Sequence, residues 1–319
     1  MNNLLRLVGR RLVALPIMAL GVSVLIFFLM SFSPIDPAYG ALGESATLEA
    51  IQKYHEEFGL DDPWPVRYVR YMTGLITEGD LGTYGPQRRP VAARVATALP
   101  VTMQLTFFGL LLGTIVSFTL GVIAALYRDG WPDQLIRLLS IAGLATPSFW
   151  LAVLLILVFS SFLHMLPASG PLPSLFSNPS GYFARMIMPA VALAVPLTGQ
   201  MTRIVRTAMV EELDKDYVRT AKGSGLPKPV IIARNVLRNA LITPVTTLGM
   251  KIGYLMGGAV VIEVIFNLPG MGMAILEGVS GNEPMLVMGV VIVVALSFIV
   301  INIVVDMLYL LINPRIRSV

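Results

Sequence analysis

The sequence contains no cysteine. Disulfide bridges and cysteine-ligated metal centres are therefore excluded, and redox chemistry says nothing about compartment. Histidine is nearly absent too, with only His55 and His164. No His/Cys/carboxylate cluster has ligand spacing. Most of the 17 methionines, including those in "GMGM" at Met271 and Met273, therefore read as packing residues. No nucleophile stands beside a base in a catalytic pattern. There is no G-x-x-x-x-G-K-[ST] loop, so the chain is not its own ATP-driven motor. Charge is scarce: Asp, Glu, Lys and Arg make up 13% of residues, where soluble domains carry about 25%.

What is present is apolar. Hydrophobic residues make up 55% and mean hydropathy is +0.76, which a lipid-facing surface explains better than a large core. A spanning helix needs roughly 20 apolar residues. The uncharged stretch 12–35 is too long for a signal-peptide core and lacks a small-residue cleavage site, so it is expected as a retained first span. The second run, 95–127, exceeds one membrane thickness and is expected to begin as an interfacial helix near Pro100. Further spans are expected from just after Arg137 to about 163, over 186–202, over 241–262, and over 285–305.

Lys and Arg between these spans set the orientation. Fifteen fall on one side: Arg6, Arg10, Arg11, Arg128, Arg137, eight between Arg203 and Arg238, Arg315 and Arg317. Seven fall on the other: Lys53, Arg67, Arg70, Arg88, Arg89, Arg94 and Arg185. Both termini are thus expected in the cytoplasm, and the loop 36–94 outside. That loop carries apolar residues at helical spacing (Leu48, Ile51, Tyr54, Phe58) and then an aromatic stripe in "DDPWPVRYVRYMTGLI". It reads as a small folded cap, which either covers the helix ends or meets a partner.

The segment "EELDKDYVRTAKGSGLPKPVIIARNVLRNALITP", 211–244, is the polar exception. Helical character up to Gly223, a Gly-Ser-Gly-Leu-Pro break and a second helix describe a knob projecting from the membrane. Such a knob suits docking into a groove on another protein, and its basic excess equally permits lying on anionic lipid.

This segment resembles the signature loop of ABC importer permeases, written E-A-A, three residues, G, nine residues, I-x-L-P. Arg219-Thr220-Ala221 stand at the E-A-A position and Gly225 at the glycine. The dipeptide/oligopeptide/nickel branch fits better, through "DYVRTA" (Asp216, Tyr217, Val218, Arg219, Thr220, Ala221), Gly225-Leu226, and "RNAL" at 238–241 before a proline. The chain has "AKGSGL" where that branch has A-R-A-K-G-L. Gly59-Leu60-Asp61, Gly79-Asp80-Leu81-Gly82, "GGAVVIEVIFNLPGMG" and "DMLYLLINPRIR" resemble further branch patterns, with Asn313 replacing an Asp.

The resemblance implies an all-α polytopic membrane protein with six transmembrane helices, a type I ABC importer permease fold and cytoplasmic termini. Residues 1–94 would form the first helix and extracytoplasmic loop. Residues 95–319 would form the permease domain, with a coupling loop at 203–240. It implies a non-enzymatic subunit of a bacterial or archaeal plasma-membrane transporter, working by alternating access. Its partners would be a homologous second permease, two cytoplasmic ATPase subunits that bind the ATP and Mg, an extracytoplasmic solute-binding protein and the lipid bilayer, with no nucleic acid. Asp216 to Ala221, Gly225 and Leu226 would engage the ATPases. Short peptides are the expected substrate, with nickel complexes, glutathione or other small conjugates as alternatives. An ion-coupled secondary transporter is the rival from another class, but it would leave the knob unexplained, and no inverted repeat or mid-depth acid favours it.

In the fifth span, Gly249, Gly253 and Gly257 form a ridge for close helix approach. On the opposite side Thr247, Lys251, Tyr254 and Gly258 make a polar stripe. A mid-span Lys costs ~2.5–3.5 kcal/mol to insert. It therefore either lines the translocation path, where it would favour a substrate carboxylate, or belongs to a structural ion pair. Glu263 and Asp306 read as interfacial or pairing residues.

Overall fold

The computed structural model describes residues 17–18, 20–33, 36–43 and 45–312. Arg6, Arg10, Arg11, Asn313, Arg315 and Arg317, both ends of the expected first span and the side chain of Asp306 lie outside the described residues. By residue contacts the chain divides into two compact units, residues 1–102 with 267–303 and residues 103–266 with 304–319.

The first unit begins with the apolar helix α1, Leu20–Ser31. It continues through α2 (Pro37–Leu42), α3 (Leu48–Phe58), α4 (Trp64–Glu78) and the strands β1 (Thr83–Tyr84) and β2 (Arg89–Pro90). Local chemistry sets these bounds. Asp36 caps α2 by accepting from the Ala38 amide, and Thr47 caps α3 through Ala50. Left-handed Gly59 and Gly79 end α3 and α4. The strands pair antiparallel, Thr83 with Pro90 and Tyr84 with Arg89, a small exception to an otherwise helical chain. Phe27, Tyr71, Met288 and Ile292 form one buried cluster, and Val91, Val95, Ala98, Met271, Ala274, Leu286 and Val290 another.

Long helices build the rest. They are α5 (Val91–Leu126), α6 (Trp131–Ala145), α7 (Ser148–Leu155, continuing as a π-helix over Ile156–Phe162) and α8 (Pro179–Leu213). The short α9 (Asp216–Gly223) and α10 (Lys228–Val230) follow, then a π-helical stretch Ile231–Val236, α11 (Leu237–Ala240), α12 (Ile242–Ile265), α13 (Met271–Ser280) and α14 (Pro284–Ile312). In the second unit α8 is the central post, packed by α6, α7, α11 and α12. A Cβ on Gly199 would lie 2.5 Å from the Ser140 carbonyl oxygen, so only glycine lets α6 approach α8 this closely.

Several expectations are corrected. The helix of the second run is unbroken through Pro100, 36 residues long or about 54 Å at 1.5 Å per residue, with no separate interfacial segment. The expected third span is two helices, α6 and the α7 run to Phe162, bent by 100° at their junction. The bend falls at Thr146-Pro147, where the proline ring disfavours helical geometry in the preceding residue, and Thr146 is extended. The fourth helix runs far past Thr202, so Arg203 and Arg206 ride on α8 and not in a loop. The expectation of six spans is not among these corrections: the described residues hold four helices long and apolar enough to cross a membrane, or five if the bent pair counts as one, and the expected first span lies partly outside them.

Candidate functional site

The polar segment folds as expected from its breaks, and its geometry sorts the candidate residues into two groups. α9 begins with Asp216 and ends with Lys222 in its last turn, both favourable to the helix dipole. It closes with paired capping bonds, Leu226 N–H to the Ala221 carbonyl (3.3 Å) and Gly225 N–H to the Lys222 carbonyl (3.1 Å). This Schellman closure requires a left-handed residue, and Gly225 supplies it with φ +75°.

Val218 and Ala221 point inward, into a buried cluster with Val205 and Met209 of α8, Ile231, Val236 and Ala240. Tyr217 is half-buried and its hydroxyl donates to Glu212 Oε1 at 2.8 Å. Asp216, Arg219, Thr220, Gly225 and Leu226 are exposed. Leu226 and Val230 leave an apolar tip open, 45% and 42% exposed.

The expected stripe on α12 is partly dispersed. Tyr254 is exposed, Thr247 and Lys251 are half-buried, and Lys251 Nζ stands 5.8 Å from the Tyr254 ring centroid. Among the described residues Lys251 has no ion pair. The opposite glycines do not act as one ridge. A Cβ on Gly249 would meet Val305 at 2.4 Å, Gly253 is buried, and Gly257 faces open space. Gly258, expected on the stripe, is the position close to α8, with its would-be Cβ 3.0 Å from Leu193.

One turn before Thr247, Thr243 borders a cavity of about 410 Å³ whose other polar walls are Gln200, Arg203, Thr207 and Glu211 of α8. Sequence reasoning placed the last three in a connecting loop, although their spacing along a helix was available as a signal.

Two cations that the sequence reading counted only as loop charges have structural partners. Arg206 binds Asp133 through two bonds, Nε to Oδ1 at 2.8 Å and Nη2 to Oδ2 at 2.6 Å, and the Asp133 side chain is fully buried. Arg185, counted as a loop charge, is buried on α8. It donates to the carbonyls of Ala168 (2.7 Å), Gly170 (3.0 Å) and Phe266 (3.1 Å). A lone cation at the head of an apolar helix was the only hint of it. Glu263 is fully buried on α12. Among the described residues no group of His, Cys, Asp and Glu could hold a metal ion.

A bent apolar helix pair, a central α8 and a capped knob can be matched against known proteins. The model for the binding-protein-dependent transport system inner membrane component matches residues 117–318, and that for its N-terminal part matches residues 4–106. The chain belongs to this family. The permease is 36% identical over 316 residues to the "Probable D,D-dipeptide transport system permease protein DdpB" of Escherichia coli strain K12, covering 93% of each chain. It is 35% identical over 308 residues to the glutathione transport system permease protein GsiC of Pectobacterium atrosepticum, covering 97% of each. A solved chain of the MetNI methionine ABC transporter, in an inward-facing conformation, shares the fold at TM-score 0.56 and 15% identity, over 69% of this permease and 96% of that chain. An amino acid ABC transporter chain gives TM-score 0.51 at 14% identity, over 70% and 94%. The protein is thus a permease subunit of an ABC importer, multi-pass in the inner membrane.

Proposed function

We propose that this permease forms, with a homologous second permease, the path by which short peptides delivered by an extracytoplasmic binding protein cross the membrane. In this reading the chain spans six times with both termini in the cytoplasm, and residues 95–319 are the permease domain. Two ATPase subunits hold ATP and Mg and drive alternating access. Their motion enters through the coupling region within 203–240.

The observation that carries the reading is the division of the knob into two faces. Val218 and Ala221 anchor α9 to α8, so a push on the exposed residues Asp216, Arg219, Thr220, Gly225 and Leu226 is transmitted to a spanning helix. The apolar tip at Leu226 and Val230 is the part a groove would enclose. The polar cavity at Gln200, Thr207, Glu211 and Thr243, continued along α12 by Thr247, Lys251 and Tyr254, suits the inner part of the path. Lys251 would attract a peptide carboxylate. Glutathione is the second reading, favoured by the likeness to GsiC over 97% of the chain.

Leu226→Asp tests the coupling role without touching the core, because that side chain is open to solvent. The tagged variant should keep its melting temperature yet lose co-purifying ATPase subunits and uptake of labelled dipeptide. If ATPases accompany it as they do the unaltered chain, the tip is not the contact and the proposal fails.

A further inference from the structure

We infer that a second cavity, between α6, α8 and the turn leading into α6, binds the headgroup of an anionic phospholipid. The inference rests on the orientation proposed above, which puts this end of both helices at the cytoplasmic leaflet. The cavity measures about 340 Å³ and is walled by four arginines, Arg128, Arg137, Arg203 and Arg206, with one carboxylate, Asp129, and with Thr207 and Val210.

Two of these cations are already committed. Arg206 is clamped by buried Asp133, and Arg128 reaches Asp214 at 2.9 Å and Asp129 at 3.6 Å. Arg137 and Arg203 are exposed and, among the described residues, have no ion pair. Four guanidinium groups thus face three carboxylates, a surplus of one positive charge that matches a phosphodiester. The paired arginines keep the walls in place, and the other two offer planar donors suited to phosphate oxygens.

α6 turns a separate, apolar side outward, away from the cavity. Trp131, Leu135, Leu138 and Leu139 form one exposed face of α6, at helical spacing. Basic pockets between spanning helices at the cytoplasmic side are where anionic headgroups bind. Competition with inorganic phosphate separates a lipid headgroup from a soluble anion at this site.

The test is a titration of the full-length purified chain, in neutral detergent, with phosphatidylglycerol and phosphatidylcholine, reading the lipid-bound fraction by native mass spectrometry. Phosphatidylglycerol should bind in preference. Arg137→Gln should weaken it about fivefold, from ~1 kcal/mol per basic residue near a membrane surface. Arg203→Gln should act similarly and the double variant more, while Arg137→Lys should retain most of the preference. Neither exposed arginine has a described ion pair to lose, so melting temperatures should hold, and each single variant checks the other.

Equal binding of the two lipids, or no effect of either Gln variant, overturns the inference. Displacement by millimolar inorganic phosphate makes this a soluble-anion site, and displacement by a dipeptide assigns it to the translocation path. Either result also overturns the lipid reading. The titration needs no partner subunit, so its failure is separable from a failure of the transport reading.

Discussion

His55 holds together two turns of the first unit. Its Nε2 lies 2.7 Å from Asp36 Oδ2 and its Nδ1 3.0 Å from Asp61 Oδ1. Asp36 meanwhile caps α2 through its other oxygen. Burial disfavours the imidazolium, but the hydrogen bonds to Asp61 and Asp36 outweigh it and raise the pKa above its ordinary value. A raised folded-state pKa means the stabilisation is complete below about 6.5, the unfolded value. It is lost as pH rises through the folded value. Amides of α2 and α3 should therefore exchange faster at about pH 9 than at about pH 5, beyond the intrinsic base catalysis of exchange. His55→Gln should abolish the excess. An equal excess in the variant would show that His55 is not the linking group.

At the scale of elements, the bond between α6 and α8 is the sharpest case. Asp133 has no exposed side-chain surface, and among the described residues its one ion pair is with Arg206, so removing the arginine strands the buried carboxylate. Arg206→Met should lower stability by about 3–5 kcal/mol, seen as a large fall in melting temperature in detergent. Replacing both, Asp133→Leu with Arg206→Met, should recover much of that loss. If the double variant is as unstable as the single one, the burden is not the orphaned charge.

This bond also marks the limit of what the sequence discloses. Long uncharged runs revealed the spanning helices because lipid demands them in the order of the chain. The knob was legible because its glycines are local signals, and Gly225 sits where the Schellman closure requires it. Asp133 and Arg206 are 73 residues apart, and nothing in either neighbourhood names the other. Arg185 was misplaced for the same reason, since its carbonyl partners belong to other segments. The bend after Ala145 could have been read from Thr146-Pro147, but continuous hydropathy hid it. The glycines of α12 were misread differently: helical spacing gave which residues share a side, and only packing decides what that side faces.

At the scale of the molecule, α8 stands apart from the other long helices. It is the most buried of the four, with more than half of its most apolar window covered, and it is also the least apolar. It carries Arg185, Arg203 and Arg206 along with two internal prolines. Biosynthesis turns this into a problem of timing. A nascent segment of low hydropathy inserts poorly by itself, and the hydropathy of α8 is the lowest of the four. The earlier-made α6 and α7 can shield α8, whereas α12 emerges only afterwards. Placed alone in a host protein whose glycosylation reports membrane integration, α8 should insert in a minority of chains. Preceding it with α6 and α7 should raise the yield, and Pro284–Val305 of α14 should insert unaided. Efficient insertion of isolated α8 would contradict this. The helix that organises the folded permease would then be the one the ribosome cannot deliver to the membrane without help from its own earlier sequence.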